Sequence, residues 1–427
     1  MKRLKVLISA HELSPWLGSE CGVGWNLISR LGKYHNVTVL FAEKNQFGTR
    51  NYAKDIAKYI SESGPVPGVS FVQVPQPLPT RILKAINKWV SSKDSSTGFA
   101  PLYFWGYKYW QKAAFAEAKK LCQAQAFDLV HLLTSVSYRE PGYLWKLTVP
   151  FVWGPTSGTF NTPMKFVIRG GFGELLFELF RRLSNFSNKN FSSRISRAIG
   201  KASLIYAVSK EDGLFFEKRG SAKTALLLDT GSLILPGTAL AHKTDPQVSI
   251  VWCGRLVPSK GLDLFLRALD RCGFKPDQIS VKLIGKGPLL PAGKRLAKRL
   301  NLHNIEWTGH VSQEKVFDYL KDADILVHTS YKEAASTVIT EALSFGTAII
   351  CHDAYGMAVA VDPSCGIKVP LLTPKDSIRG FSDAMTRLVT DPEKLQELKT
   401  NALARARELS WDSMAEQIAK DYESIAH

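Results

Sequence analysis

The chain has 427 residues, of which 45% are hydrophobic and 22% charged, so it is neither a single small module nor a polar, charge-dense disordered chain. Its formal net charge of +17 is lopsided: residues 1–200 hold 26 basic and 11 acidic side chains (net +15), whereas residues 201–427 hold 29 and 27 (net +2). The six cysteines are scattered, with no CxxC pair and no histidine at zinc-ligand spacing, which excludes a zinc module and a disulfide framework and reads as reduced core thiols.

A concentrated positive half meets nucleic acid, a lipid surface or a phosphorylated substrate. Zinc-finger spacing, an RNP-type aromatic strand and a helix-turn-helix pattern are all missing, so nucleic acid is not the expected partner. No apolar run approaches the roughly 18 residues of a spanning helix. The start, MKRLKVLISAHELSP, lacks a signal-peptide core and cleavage site, so the expected location is the cytoplasm.

In chain order, the apolar run Leu4–Ala10 predicts a buried strand, followed by a Gly-rich loop, a helix over Val23–Lys33 and a second strand at Val37–Phe41. Further strands are expected at Phe71–Val74, Leu129–Leu133, Phe151–Trp153 and Leu204–Val208, with helical stretches between several of them. The chain turns polar and irregular over Gly231–Gln247, the expected linker, and the alternation then restarts. Strands are predicted at Val248–Cys253, Ser280–Ile284, Ile305–Trp307, Ile325–His328 and Ala348–Cys351, with helices at Leu262–Leu269, Leu290–Leu300, Glu314–Lys321 and Ser336–Phe345. Amphipathic helices at Asp391–Leu409 and Asp412–Ser424 close the chain. The pattern predicts two doubly wound α/β domains of parallel strands, with ligands at the carboxyl ends of the strands.

The informative chemistry lies in the second half. CGRLVPSKGL leaves a predicted strand with Arg255 and Lys260 five positions apart, a fork and a point charge able to grip a pyrophosphate, although taken alone they read better as a plain pair of surface cations. LIGKGPL puts Gly285 and Gly287 just after the next strand, where backbone can approach a ligand closely. The strongest segment is HTSYKEAASTVITEALSFG. Its loop carries Glu333, its helix carries Glu341, and Ala334, Ala335 and Ser336 leave the first helical N–H groups free for a phosphate. Glu341, about a turn and a half into that helix, is placed to accept two ribose hydroxyls.

Taken in order, GSECGVGW, YLWKLTVPFVWGPTSG, AVSKE, GRLVPSKG, LIGKGP, WTGHV and the Glu333–Glu341 pair resemble the retaining glycosyltransferases of family 4, in a branch associated with bacterial surface polysaccharides such as lipopolysaccharide. The resemblance implies the GT-B fold: two Rossmann-like domains facing each other across a cleft. It assigns an acceptor domain to 1–230, the linker to 231–247 and a nucleotide-sugar domain to 248–411. A last helix, 412–427, returns to the first domain. It implies that Arg255 and Lys260 steady the departing diphosphate in place of a metal, so no cofactor or metal is expected and the donor is of the UDP or GDP type. It further implies that Glu333 faces the donor sugar, that Ser336, Thr337 and Val338 hold the phosphates through their N–H groups, and that Glu341 binds the ribose. Gly285 and Val311 would lie by the base, and Gly18 would let the first domain close on the diphosphate.

Many relatives carry a second histidine two positions after the one ending the fourth strand, but DLVHLLT offers His131 and then Leu133, which leaves His11 or His131 as the candidate replacement. Asp322-Ala323-Asp324 imitates a metal-binding DxD of another glycosyltransferase fold but reads as an ordinary helix-to-strand junction. Thr80–Lys93 and Pro163–Lys201 mix large apolar residues with cations and are candidates for an anionic membrane surface, where a glycan or polyprenyl-diphosphate acceptor would be carried. The rings of Pro101–Leu121 would stack on an acceptor sugar or pack beneath a loop. Alternative readings are a sugar-nucleotide epimerase of similar fold and a non-catalytic glycan or nucleic-acid binder.

Overall fold

Two parallel sheets organise the chain in a computed structural model that describes residues 3–18, 20–45, 49–91, 98–221, 223–234 and 247–426. The first sheet contains β1 (Lys5–Ala10), β2 (Asn36–Ala42), β3 (Val69–Val74), β4 (Leu129–Thr134), β5 (Phe151–Thr156), β6 (Ala202–Ala207) and β7 (Thr224–Leu226), in the order β3-β2-β1-β4-β5-β6-β7. The second contains β8 (Val248–Cys253), β9 (Ile279–Ile284), β10 (Ile305–Gly309), β11 (Ile325–His328), β12 (Ala348–His352) and β13 (Gly366–Val369), in the order β10-β9-β8-β11-β12-β13. Both repeat one doubly wound pattern, whose winding reverses between β1 and β4 in one sheet and between β8 and β11 in the other. Helices cover both faces of such sheets, so the central strands bury all their side chains, as in β4, β5, β11 and β12, while the edge strands β3 and β10 stay half-exposed.

The chain divides into two units. The first comprises Met1–Thr159, Phe186–Asp229 and Trp411–His427; the second comprises Phe160–Asn185 and Thr230–Ser410. In the first, the helix Trp411–Ala426 packs on the helix Glu20–Leu31. Asp412 joins them by accepting from Arg30 Nε at 2.9 Å and Lys33 Nζ at 3.0 Å. In the second, Trp252, Phe265, Leu269, Phe381, Met385 and Leu398 form a core in which the helices Leu262–Cys272 and Pro374–Thr390 pack together.

The division corrects one boundary. Phe160–Asn185 belongs with the second unit, not the first, because the buried Glu178 accepts from Arg181 Nη2 at 2.6 Å and Lys332 Nζ at 3.2 Å, and Phe166 packs against Tyr331 and Leu264. The expected linker at 231–247 lies mostly outside the described residues. The short strands β7 and β13 and the helix Pro374–Thr390 were not predicted.

Candidate functional site

At the winding reversal of the second sheet, the loops after β8 and β11 meet. This is where ligands enter an open α/β sheet. The first loop runs Gly254–Gly261; the second runs Thr329–Ser336 into the helix Thr337–Ser344. Polar contacts staple them. Trp252 Nε1 donates to Thr329 Oγ1 at 2.9 Å, Ser330 Oγ donates to Ser259 O at 3.1 Å, and Tyr331 N donates to the same carbonyl at 3.0 Å. Gly261 takes φ +67°, and a Cβ there would stand 2.4 Å from Thr329 O, so only glycine allows this approach.

The stapling brings Lys260 and Glu333 together as a direct ion pair of half-buried side chains. Ser330 Oγ lies 3.0 Å from the same Glu333 oxygen, which competes with Ser259 O for its one proton, and His328 Nε2 stands 3.8 Å away without a hydrogen-bond partner among the described residues. Burial opposes ionisation of Glu333, but His328 and the Lys260 ammonium outweigh it and hold the carboxyl at about 2. His328 itself is lowered by burial, against the neighbouring Glu333 carboxylate, which favours its charged form, and with Lys260, which lowers it further. His352 is neutral, at about 4 because of burial: Nδ1–H donates to Ser330 O and Nε2 accepts from Ser377 Oγ, both at 2.9 Å, fixing the loop that carries Glu333.

Arg255, in the first loop, is exposed and meets no carboxylate among the described residues. Ser336 begins the helix Thr337–Ser344 in extended conformation without a side-chain cap. The first N–H groups, at Thr337 and Val338, are therefore not taken by a capping side chain, which is the arrangement that receives an anion. Glu341 follows one turn later. Burial pushes its carboxyl up to about 7, against a hydrogen bond of 3.0 Å from Gln313 Nε2. Val311 is half-buried in the loop just before Gln313. Gly285, at φ +145°, packs its backbone on the first loop: a Cβ would lie 1.9 Å from Gly254 O.

Arg255, Lys260, Gly285, Val311, Glu333, Ser336, Thr337, Val338 and Glu341 thus all belong to the loops and helix starts at the carboxyl ends of β8 to β11. Gly18 belongs to the first unit, exposed, with nothing within 4 Å of a would-be Cβ. Sequence reasoning missed His328, Ser330, Gln313 and His352. The only signal for the two histidines is a polar residue closing an otherwise apolar strand.

The first unit has its own polar cluster at the reversal between β1 and β4. Glu12 Oε1 accepts from Tyr103 Oη at 2.9 Å, and Glu20 Oε1 accepts from Val136 N at 3.1 Å. Burial, and then the Glu12 charge, raise Glu20 to about 8. Both candidate histidines are buried, and burial lowers both. His131 is buried and lowered to about 4, with Nε2–H donating to Gly154 O at 2.6 Å and Nδ1 accepting from Tyr422 Oη at 2.5 Å. His11 is lowered to about 3 by burial, then by the charge of Lys84, and lies edge-on to Tyr107 and Trp110. Asp324 of the DxD imitation accepts from Ser249 N at 2.8 Å and from Lys399 Nζ at 2.6 Å. That is a structural role.

Residues 240–405 match the family described as glycosyl transferases group 1. A D-inositol 3-phosphate glycosyltransferase from Streptomyces bingchenggensis is 32% identical over 187 residues, covering 40% of this chain and 39% of that protein. The chain therefore spans about two fifths of the length of the curated relatives it matches first. Sucrose-phosphate synthase from Thermosynechococcus elongatus is similar in structure, at a TM-score of 0.64 and 16% identity over 99% of both chains. HepE from Anabaena, solved in complex with UDP, follows at 0.59 and 17%, covering 99% of this chain and 100% of that one. The likeness shows the fold: two Rossmann-like α/β domains of the GT-B class.

Proposed function

We infer, from the match of residues 240–405 to the group 1 glycosyl transferases, that the protein transfers a sugar from a nucleotide-diphospho-sugar to a hydroxyl of an acceptor. The observation that carries this reading is the meeting of Lys260, Glu333, Glu341 and the uncapped helix start at Thr337, all at the ends of neighbouring strands. Lys260 and Arg255 supply the charge that a leaving diphosphate needs, the N–H groups of Thr337 and Val338 hold it, Glu341 takes the ribose, and Glu333 faces the sugar as positive charge grows there. Lys260, paired with Glu333 in the free protein, then shares its charge with the diphosphate. In a retaining front-face reaction the bond from anomeric carbon to phosphate oxygen breaks, the acceptor oxygen bonds to the same face, and the departing phosphate takes the acceptor proton. No metal is required when two cations occupy its place.

The finer reading is that the acceptor is a lipid-linked glycan, such as one on a polyprenyl diphosphate, extended at the inner face of the cytoplasmic membrane during bacterial surface-polysaccharide synthesis. The positive balance of residues 1–200 supports it. The test is transfer of label from UDP- or GDP-sugars, in EDTA, into the organic-soluble fraction of membranes from cells that make the protein. Label in that fraction that disappears with Lys260→Ala supports the reading. Label only in water-soluble products removes the lipid-linked acceptor, and EDTA-dependent transfer removes the metal-free mechanism.

A further inference from the structure

Two helices of this protein bury their polar residues and expose their apolar ones. In Leu78–Val90 the buried residues are Thr80 and Asn87. Thr80 Oγ1 donates to Gly106 O at 2.8 Å, and Asn87 Oδ1 accepts from Phe99 N at 2.8 Å. Leu78, Ile82, Ile86 and Trp89 are 64, 51, 43 and 87% exposed, and their spacing of four, four and three residues puts them on one face. In Phe172–Phe191 the buried residues are Glu178 and Asn185. Phe172, Leu176, Phe180 and Leu183 are 75, 51, 61 and 67% exposed, at the same spacing. A lone exposed leucine is ordinary, but contiguous apolar faces of this kind mark an interaction surface.

The charge around Leu78–Val90 points to the partner, and Phe172–Phe191, which carries Glu174 and the buried Glu178, has further exposed cations outside its ends. Leu78–Val90 contains Arg81, Lys84 and Lys88 and no acidic residue. Lys108 and Lys112 join Trp105, Tyr109, Leu78 and Ile82 around a groove of about 490 Å³ beside it. In sequence, Phe172–Phe191 is flanked by Lys165 on one side and Arg197 and Lys201 on the other, all exposed and without a carboxylate partner among the described residues. The arginines in and beside the helix are otherwise engaged: Arg169 with Asp263, Arg181 with Glu178 at 2.6 Å, Arg182 with Thr162 O and Arg194 with Glu140 at 2.8 Å.

We propose that each of these apolar faces, taken by itself, inserts into the interfacial region of an anionic lipid bilayer, so that insertion and not surface charge alone holds the protein to the membrane. This rests on the reading of a lipid-borne acceptor and adds the residues and mode of attachment. Among the described residues no helix is long and apolar enough to cross a membrane, so the two helices lie in the interface plane. Trp89, one residue from its helix end, is the residue type that settles at headgroup level.

The test is co-sedimentation of the full chain with vesicles of phosphatidylcholine alone and of phosphatidylcholine with phosphatidylglycerol, in low salt and in about 1 M salt, where surface charges are screened. Binding should favour the anionic vesicles and persist in part at high salt. The pairs Ile82→Glu with Trp89→Glu, and Phe172→Glu with Phe180→Glu, should each weaken partitioning about a hundredfold. The corresponding serine pairs should weaken it less, and all variants should keep the wild-type melting temperature and UDP affinity. Complete release by salt, or variants that bind like wild type, would overturn the proposal. So would self-association without lipid that the variants abolish, since that would assign the faces to a second copy. UDP binding is read in the same samples, so a wild-type chain that binds UDP but neither kind of vesicle counts against insertion and leaves the donor site standing.

Discussion

Glu341 offers a quantitative check, because burial lifts its carboxyl from the usual 4.5 to about 7. If the carboxylate accepts the ribose hydroxyls, nucleotide binds only the ionised form. Between pH 8 and pH 6 the ionised fraction falls from about nine tenths to about one tenth, so the Kd for UDP should rise about tenfold on acidification. Stability moves the other way. A carboxyl whose folded pKa lies above its unfolded value contributes its full stability below pH 4.5 and loses it as pH rises through 7, at a cost of about 3 kcal/mol by pH 8. Glu341→Gln should therefore be more stable than wild type at pH 8, by up to about 3 kcal/mol, while binding UDP more weakly. Isothermal titration of both proteins from pH 6 to pH 8 isolates the effect, because titration of the UDP phosphate is common to both. Parallel pH profiles would refute the ribose role, and a glutamine variant less stable than wild type at pH 8 would refute the account of burial.

Lys260→Ala should lower turnover by roughly 10² to 10³ while changing UDP affinity less than tenfold, since the charge it meets grows as the bond breaks; unchanged kcat in steady-state assays would remove it from the reaction. Gly285→Ala forces a Cβ to within 1.9 Å of Gly254 O and should part the two loops, lowering the melting temperature and abolishing UDP binding; a variant that melts and binds like wild type would contradict the close packing. Glu178→Ala leaves Arg181 and Lys332 without their buried partner, and urea denaturation should show a loss of about 3–5 kcal/mol. A loss below about 1 kcal/mol would mean that the cluster does not anchor Phe160–Asn185.

Both sheets were legible because their central strands are short apolar runs between turn residues, and β8, β11 and β12 fall close to where the sequence predicts them. The edge strands β7 and β13 have three and four residues and too little periodicity to stand out. The placement of Phe160–Asn185 was not readable because it depends on contacts far apart in sequence, such as Glu178 with Lys332. Arg255, Lys260, Glu333 and Glu341 stand out in the sequence as charge beside predicted strand ends, and the structure places them on the loops and helix after β8 and β11. Ser330, Gln313 and His352 were missed because they act by holding other groups. The exposed faces of Leu78–Val90 and Phe172–Phe191 show a further limit: periodicity reveals a two-faced helix, but only packing shows which face is buried.

A thermal-shift series with UDP, GDP, ADP, CMP, dTDP and their sugar conjugates tests the donor site most directly, since a ligand that binds only the folded state raises the melting temperature by mass action. One nucleotide and its sugar conjugates should stand out, with the shift abolished by Glu341→Ala. No response to any of them, or a response that survives Glu341→Ala unchanged, would contradict a nucleotide-sugar site at the ends of β8 to β11.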